Sequence, residues 1–293
     1  MKFPFCAALF FLSTVPSVVL GQSQKCWSDD EVLKRNPNPS REQQLEPWPA
    51  HHIIDNIYYV GTRNLSSFLI ETQEGHILIN TNDEETLPLV RQSVEVLGFE
   101  WTDIRIILGS HAHSDHMSGN ALAKMQTGAT VMAMRQDVPL LAEIMPGGKP
   151  HPIDRILDHG ETVTLGNVTL KAHLTPGHTP GTTTWTLQAR ENDDTYNVVI
   201  LGGATATPRT DATDSEIQEQ FQKAFLVLRA LPCDVPLGPH APIHNMEVKY
   251  DRLKENTGIN PFIDPSGCQD ELALSERVFY LLLARQSRDK APH

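Results

Sequence analysis

The sequence predicts an α+β protein of two similar halves, each a β-sheet with helices on one face, the sheets packed together in a four-layer sandwich. Three observations carry that expectation. Short β-branched and aromatic runs broken by turn residues recur closely in both halves. Each such meander leads to a stretch whose apolar residues fall at helical spacing. No linker separates the halves, so burying both apolar sheet faces requires packing one on the other.

Residues 1–21 read as an export signal: Lys2, an apolar run from Phe3 to Leu12, and Val19-Leu20-Gly21 as a cleavage site before Gln22. Pro16 interrupts the run, which falls short of the roughly 20 residues a spanning helix needs. Residues 22–48 read as a polar, loosely held leader punctuated by Asn36-Pro37-Asn38-Pro39 and Glu46-Pro47-Trp48-Pro49. One catalytic domain is expected over 49–293.

Within that domain, strands are expected at 53–60, 66–72 and 76–80, with Gln73-Glu74-Gly75 as a turn. Leu87, Val90, Val94 and Leu97 mark the first amphipathic helix. A strand at 104–109, a helix through about Met125 and a strand at 129–134 follow, then the flexible loop Gly147-Gly148-Lys149-Pro150. The second half has strands at 161–165, 167–174, 182–188 and 196–201, with a turn at Glu191-Asn192-Asp193-Asp194. A helix with Ile217, Phe221, Ala224, Phe225, Leu228 and Leu231 on one stripe starts from a capping box, Thr213 to Glu216. The last helix lies near 270–286.

Composition excludes some partners. Of 293 residues, 24 are Lys or Arg and 36 Asp or Glu, a formal charge of −12. Nucleic acid needs a basic track, and anionic membranes attract basic patches, so neither is an expected partner after signal cleavage. A monomer acting on a small molecule is expected, secreted, or periplasmic in a Gram-negative host. Cys6 leaves with the signal; of Cys26, Cys233 and Cys268, the last two are paired here because they flank the last strand and the last helix. Such a bridge stabilises by roughly 3–4 kcal/mol. Asn64-Leu65-Ser66 and Asn167-Val168-Thr169 are glycosylation sequons, relevant only in a eukaryotic host.

The chemistry is concentrated in His111-Ala112-His113-Ser114-Asp115-His116, directly after the strand-like Ile104-Arg105-Ile106-Ile107-Leu108. This composition would yield H-x-H-x-D-H by chance in only about one chain in a thousand. His178, in Thr175-Pro176-Gly177-His178-Thr179-Pro180-Gly181, and His240, in Leu237-Gly238-Pro239-His240, complete a set able to hold two zinc ions. His111 and His113 are two apart and point the same way on an extended loop, so they share one metal. Asp115 and His116, at the turn into the helix, serve a second. His51, His52, His76, His151, His159, His244 and His293 are expected to face solvent, and His173 to be a packed strand residue. Two metals in one pocket point to hydrolysis by a water that loses its proton near neutral pH, with Asp115 holding the nucleophile and passing a proton. There is no G-x-S-x-G elbow.

The chain resembles the metallo-beta-lactamase superfamily, and within it the third subclass of zinc beta-lactamases. The resemblance rests on Asp55 to Gly61, Gly109 to His116, Leu174 to Gly181 with Thr184-Trp185, Leu231 to Val235, and Asn260 to Pro265. It implies an αββα sandwich, beta-lactam hydrolysis and the Cys233–Cys268 bridge. It also implies His111, His113 and His178 on one zinc, and Asp115, His116 and His240 on the other. Glyoxalase-type and many lactonase members carry a metal-bridging Asp after the strand at 196–201, where this chain has Gly202-Gly203-Ala204. Asn80 and Asn82 stand where the family has Asp and Gly, and Met117 stands where a small residue is usual, so a thioether is expected at the pocket floor. Thr205 and Thr207 are candidates to replace a substrate-binding serine segment, with Arg209 beside them. The implied function is an exported dizinc hydrolase opening beta-lactam amides. The alternatives are another lactam, a lactone or a thioester as substrate, or a non-catalytic zinc-binding protein of the same fold.

Overall fold

A computed structural model describes residues 28–34 and 40–290; the expected export signal, Cys26 and His293 lie outside the described residues. Among the described residues, no helix is long and apolar enough to cross a membrane.

Seven strands form the first sheet in sequence order: β1 (His51–Ile54), β2 (Ile57–Tyr59), β3 (Phe68–Thr72), β4 (Gly75–Ile79), β5 (Ile104–Leu108), β6 (Thr130–Met134) and β7 (Arg155–Leu157). The first four pair antiparallel and the rest parallel. The second sheet comprises β8 (Thr162–Leu165), β9 (Val168–Leu174), β10 (Thr183–Glu191), β11 (Asp194–Ile200) and β12 (Val235–Leu237), antiparallel except for the parallel β11–β12 pair.

Strand alternation sorts the core into layers. Ile77 and Ile79 face the second sheet, where they share a core with Leu170, Trp185, Leu187 and Val198. Leu78, between them, faces outward onto Val90 and Val94 of α3 (Leu87–Val96) and Ala123 of α5 (Asn120–Thr127). In the second half, α7 (Ser215–Ala230) and α9 (Pro265–Asp289) pack through Phe221, Phe225 and Phe279, the Phe221 and Phe279 rings stacking at 4.6 Å. Helices outside and sheets inside are the expected sandwich.

Several local expectations change. The strand expected at 53–60 is a hairpin, β1–β2, because Asp55 adopts a positive φ of 51° in the turn with Asn56. The helix expected through Met125 is split into α4 (Ser114–Met117) and α5. Between them, Gly119 approaches Asn82 so closely that a Cβ would lie 3.1 Å from its carbonyl oxygen. The cap of α7 is Asp214, which accepts from the Glu216 and Ile217 amides, while Thr213 bonds Asp211 instead. The described part of the leader is not loose: α1 (Asp29–Lys34) buries Val32 against α7 and α9, and α2 (Arg41–Leu45) carries its own Ser40–Gln43 capping box. The short β7, α6 (Val138–Glu143) and α8 (Met246–Lys254) were not expected. A disulfide joins Cys233 and Cys268, with Cα atoms 6.2 Å apart. Cys233 precedes β12 rather than following it, and Cys268 lies in the first turn of α9.

Pairing directions make β2, β4 and β5 parallel to one another in the first sheet, and β9, β11 and β12 in the second. The loops leaving their C-terminal ends carry Asn64, Asn80, His111–His116, His178, Gly202–Thr205 and His240. That arrangement builds the site.

Candidate metal centre

The structure brings His111, His113 and His178 together, with one nitrogen of each within 4.8 Å of the others. Their rings meet edge to face, His111 lying 4.4 Å from His178 and 4.7 Å from His113. Asp115, His116 and His240 form a second set with the same limit. The sets adjoin, the His111 and His116 ring centroids being 4.4 Å apart. His113 is exposed and Asp115 half-buried, so the pocket opens to solvent on that side.

Hydrogen bonds fix which nitrogen is free. His111 Nδ1 donates to the Gly202 carbonyl at 2.7 Å, and His178 Nδ1 to that of Thr205 at 2.9 Å. His240 Nδ1 donates to Asn64 Oδ1 at 3.0 Å. A carbonyl oxygen accepts only, so each Nδ1 carries the hydrogen and each Nε2 keeps its lone pair. Nε2 of His111 is buried without a partner. In the second set, His116 Nε2 lies 3.3 Å from His240 Nε2 and 3.5 Å from Asp115 Oδ2, with 3.8 Å between His240 Nε2 and Asp115 Oδ2. Ligand distances of about 2.0–2.2 Å around a tetrahedral divalent ion put neighbouring donors about 3.3–3.6 Å apart. Donor atoms converging at about that spacing can share one cation. The residues fit a metal ion.

Electrostatics agree. Burial, reinforced by the neighbouring imidazoles, holds His111 and His116 well below the ordinary histidine range. Burial likewise lowers His178 to about 4, with His113 adding to it, and lowers His240, with His116 adding to it. Neutral imidazole is the form that binds metal.

The surroundings show what each loop needs. Asn80, at φ 63°, accepts from the Ser110 amide at 2.9 Å and so supports the backbone before His111 without a carboxylate. Gly203 has φ 137°, and a Cβ there would meet the His178 ring at 3.3 Å. Met117 packs beneath Gly109, where a Cβ would sit 2.4 Å from its sulfur, in a cluster with Ala112, Ala133 and Leu141. Thr205 serves through its carbonyl, its hydroxyl pointing 3.5 Å from that of Ser275. Thr207 bonds Thr210 within its own turn, and Arg209 is exposed.

Four histidines expected to face solvent are buried: His51, His76, His151 and His244. His51 shares the inward parity of Ile53 and stacks on Tyr59, and His151 binds the Met117 carbonyl at 3.0 Å. His76 packs edge-on to Phe99 in β4, and His244 lies between Tyr59 and Phe68. His52 and His159 are exposed as expected. His173 packs in β9 with Nε2 2.8 Å from Thr186 Oγ1. The sequence reading missed Asn64 and Asp137. Asn64 stands in the sequence as a sequon, yet it is buried on His240. The other sequon residue, Asn167, is exposed.

The profile of the metallo-beta-lactamase superfamily matches residues 60–240, a span that starts just before the Asn64 loop and ends on His240. Among solved structures, the native FEZ-1 metallo-beta-lactamase from Legionella gormanii is 37% identical, covering 83% of this chain and 98% of its own, with a TM-score of 0.79. BJP-1, a subclass B3 metallo-beta-lactamase of Bradyrhizobium japonicum, is 31% identical over 85% of this chain and 99% of its own, at 0.77. A hydroxyacylglutathione hydrolase-like protein of Bos taurus is 30% identical over 152 residues, 52% of this chain and 71% of its own. The chain spans about half the length of the curated relatives it matches, from 28% to 71%. The chain belongs to the metallo-beta-lactamase superfamily, a family of metal-dependent hydrolases, and is similar to subclass B3 enzymes.

Proposed function

We propose that this protein is an exported dizinc hydrolase that opens the amide of beta-lactams, with His111, His113 and His178 holding one zinc and Asp115, His116 and His240 the other. The observation that carries this reading is the pair of adjoining three-donor sets with no carboxylate from the loop after β11 between them. Gly202 gives its carbonyl to His111 and Gly203 packs on His178, so the positions nearest the two sets have no side chain to offer. The likeness to FEZ-1 and BJP-1 over nearly their whole length supports the same substrate class.

Zinc bound there supplies a water deprotonated near neutral pH and polarises the substrate carbonyl. The chain's own residues do the rest. The carbonyls of Gly202 and Thr205 and the Asn64 amide lock three imidazoles in the Nδ1–H form, so each presents Nε2 without rotating. Half-buried Asp115 turns Oδ2 toward the Nε2 atoms of His116 and His240, so its other oxygen is the one that would hold the attacking group and carry its remaining proton to the departing nitrogen. The export signal over 1–21 and a monomeric state belong to the same reading.

The match to a hydroxyacylglutathione hydrolase-like protein favours a second reading, a thioester substrate on the same residues. Turnover of nitrocefin, a lactone panel and a thioester panel, each with and without chelator, separates the two. Chelator-sensitive nitrocefin hydrolysis is the expected result. Thioester or lactone turnover without lactam cleavage replaces the substrate assignment, and silence on all three with metal bound removes the enzymatic one.

A further inference from the structure

The candidate site is assembled from loops of opposite sheets, so something must hold them in register. Asp137 stands between them. It lies at the N-cap of α6, where an Asp side chain ordinarily accepts from its own helix, but this one makes no such bond. Its carboxylate turns to the site instead. Oδ2 accepts the Ala112 amide at 2.8 Å, from the residue between His111 and His113, and the Thr179 hydroxyl at 2.9 Å, beside His178. Oδ1 accepts the Gly181 amide at 2.7 Å.

Asp137 is only 2% exposed. Burial pushes its carboxyl above the usual range, and the hydrogen bonds from Thr179, Gly181 and Ala112 counter that rise. All three partners are donors, which suits a carboxylate and no neutral isostere. The approach of the backbones is equally particular: a Cβ on Gly181 would lie 2.3 Å from the Asp137 amide nitrogen. The glycine in Pro180-Gly181 lets the second-half loop close onto Asp137. Below this clasp, the Thr183 amide bonds the Ser110 carbonyl at 2.8 Å and joins the feet of the same loops.

We propose that Asp137 is a positioning residue that clamps the His111–His113 loop to the His178 loop and thereby sets the affinity of the three-histidine set for its ion. The inference rests on the metal reading above. It separates the two sets, because the three bonds go to Ala112, Thr179 and Gly181 and none to Asp115, His116 or His240.

Asp137→Asn keeps the size of the side chain but sets an amide N–H against one of the donors. Zinc affinity is measured by chelator competition in two backgrounds: His240→Ala, in which the three-histidine set remains, and His178→Ala, in which the Asp115 set remains. Partners that orient metal ligands typically change affinity by about 10–100-fold. That loss is expected for Asp137→Asn in the first background, with a change below about threefold in the second. Thr179→Val, which removes the bond to Asp137 and one to the Thr182 hydroxyl without a buried charge change, is expected to give a smaller loss of the same selectivity. Cobalt(II) absorption of the first set is expected to shift in both variants. Folded variants with unchanged affinity in the first background, or equal losses in both, overturn the proposal. A wild-type chain that retains no divalent ion removes the metal reading and the proposal with it.

Discussion

Replacing Cys233 and Cys268 together by serine tests how the second half is held. The disulfide closes a loop with a sequence separation of 35 and ties the segment after α7 to the first turn of α9. Chain-entropy arguments give about 13 cal/mol/K for a loop of that length, or about 3.8 kcal/mol at 25 °C. For a domain of this size each kcal/mol shifts the melting temperature by about 2–4 °C, so the variant should melt about 8–15 °C lower. Activity at 25 °C should fall far less than stability, because His240, the one candidate ligand inside the bridged loop, is held by its own bond to Asn64. The assay is thermal unfolding of oxidised wild type, reduced wild type and the double variant, with hydrolysis followed on the same samples. A double variant melting within about 3 °C of the oxidised protein would refute the loop-closure reasoning. Equal loss of activity and stability would show that the bridge also shapes the site.

Asn64→Leu strands the buried Nδ1–H of His240, which costs about 1–3 kcal/mol and should weaken the Asp115 set about 5- to 150-fold. Unchanged zinc affinity in a His178→Ala background would contradict it. Gly177 has φ 126°, and a Cβ would meet the Phe221 ring at 2.8 Å, so Gly177→Ala should displace His178 and cut hydrolysis at least tenfold, about 1.4 kcal/mol; wild-type turnover would count against it. Burial lowers His51 to about 4 from an ordinary 6.5, so the unfolded chain binds its proton more readily. Its contribution is therefore intact above pH 6.5 and is lost as pH falls toward 4, up to about 3 kcal/mol. Urea unfolding of wild type and His51→Leu across that window should show the wild type losing stability faster; parallel curves would exclude His51 as the cause.

The ligand set was legible because the chemistry needs several histidines and a carboxylate at fixed short spacing, and composition alone does not supply that. The layered fold was legible from Ile77-Leu78-Ile79 and the 87–97 stripe, whose periods assign their faces. Asn64 and Asp137 were not, since each acts through one or a few hydrogen bonds to residues 25 to 176 positions away and leaves no local pattern. The buried histidines were misjudged for a related reason. The polarity of His51 points to solvent, but its parity with Ile53 places it inward, among rings that accept an imidazole edge or face. The short β7 has only three residues and gains its place by pairing with β6 rather than by any propensity of its own.

Metal content read alongside hydrolysis tests the central claim most directly. Purified wild-type chain should hold two zinc ions and lose both ions and turnover to a chelator, while His240→Ala should hold one. A wild type that binds a single ion, with His240→Ala binding the same amount, would contradict the account.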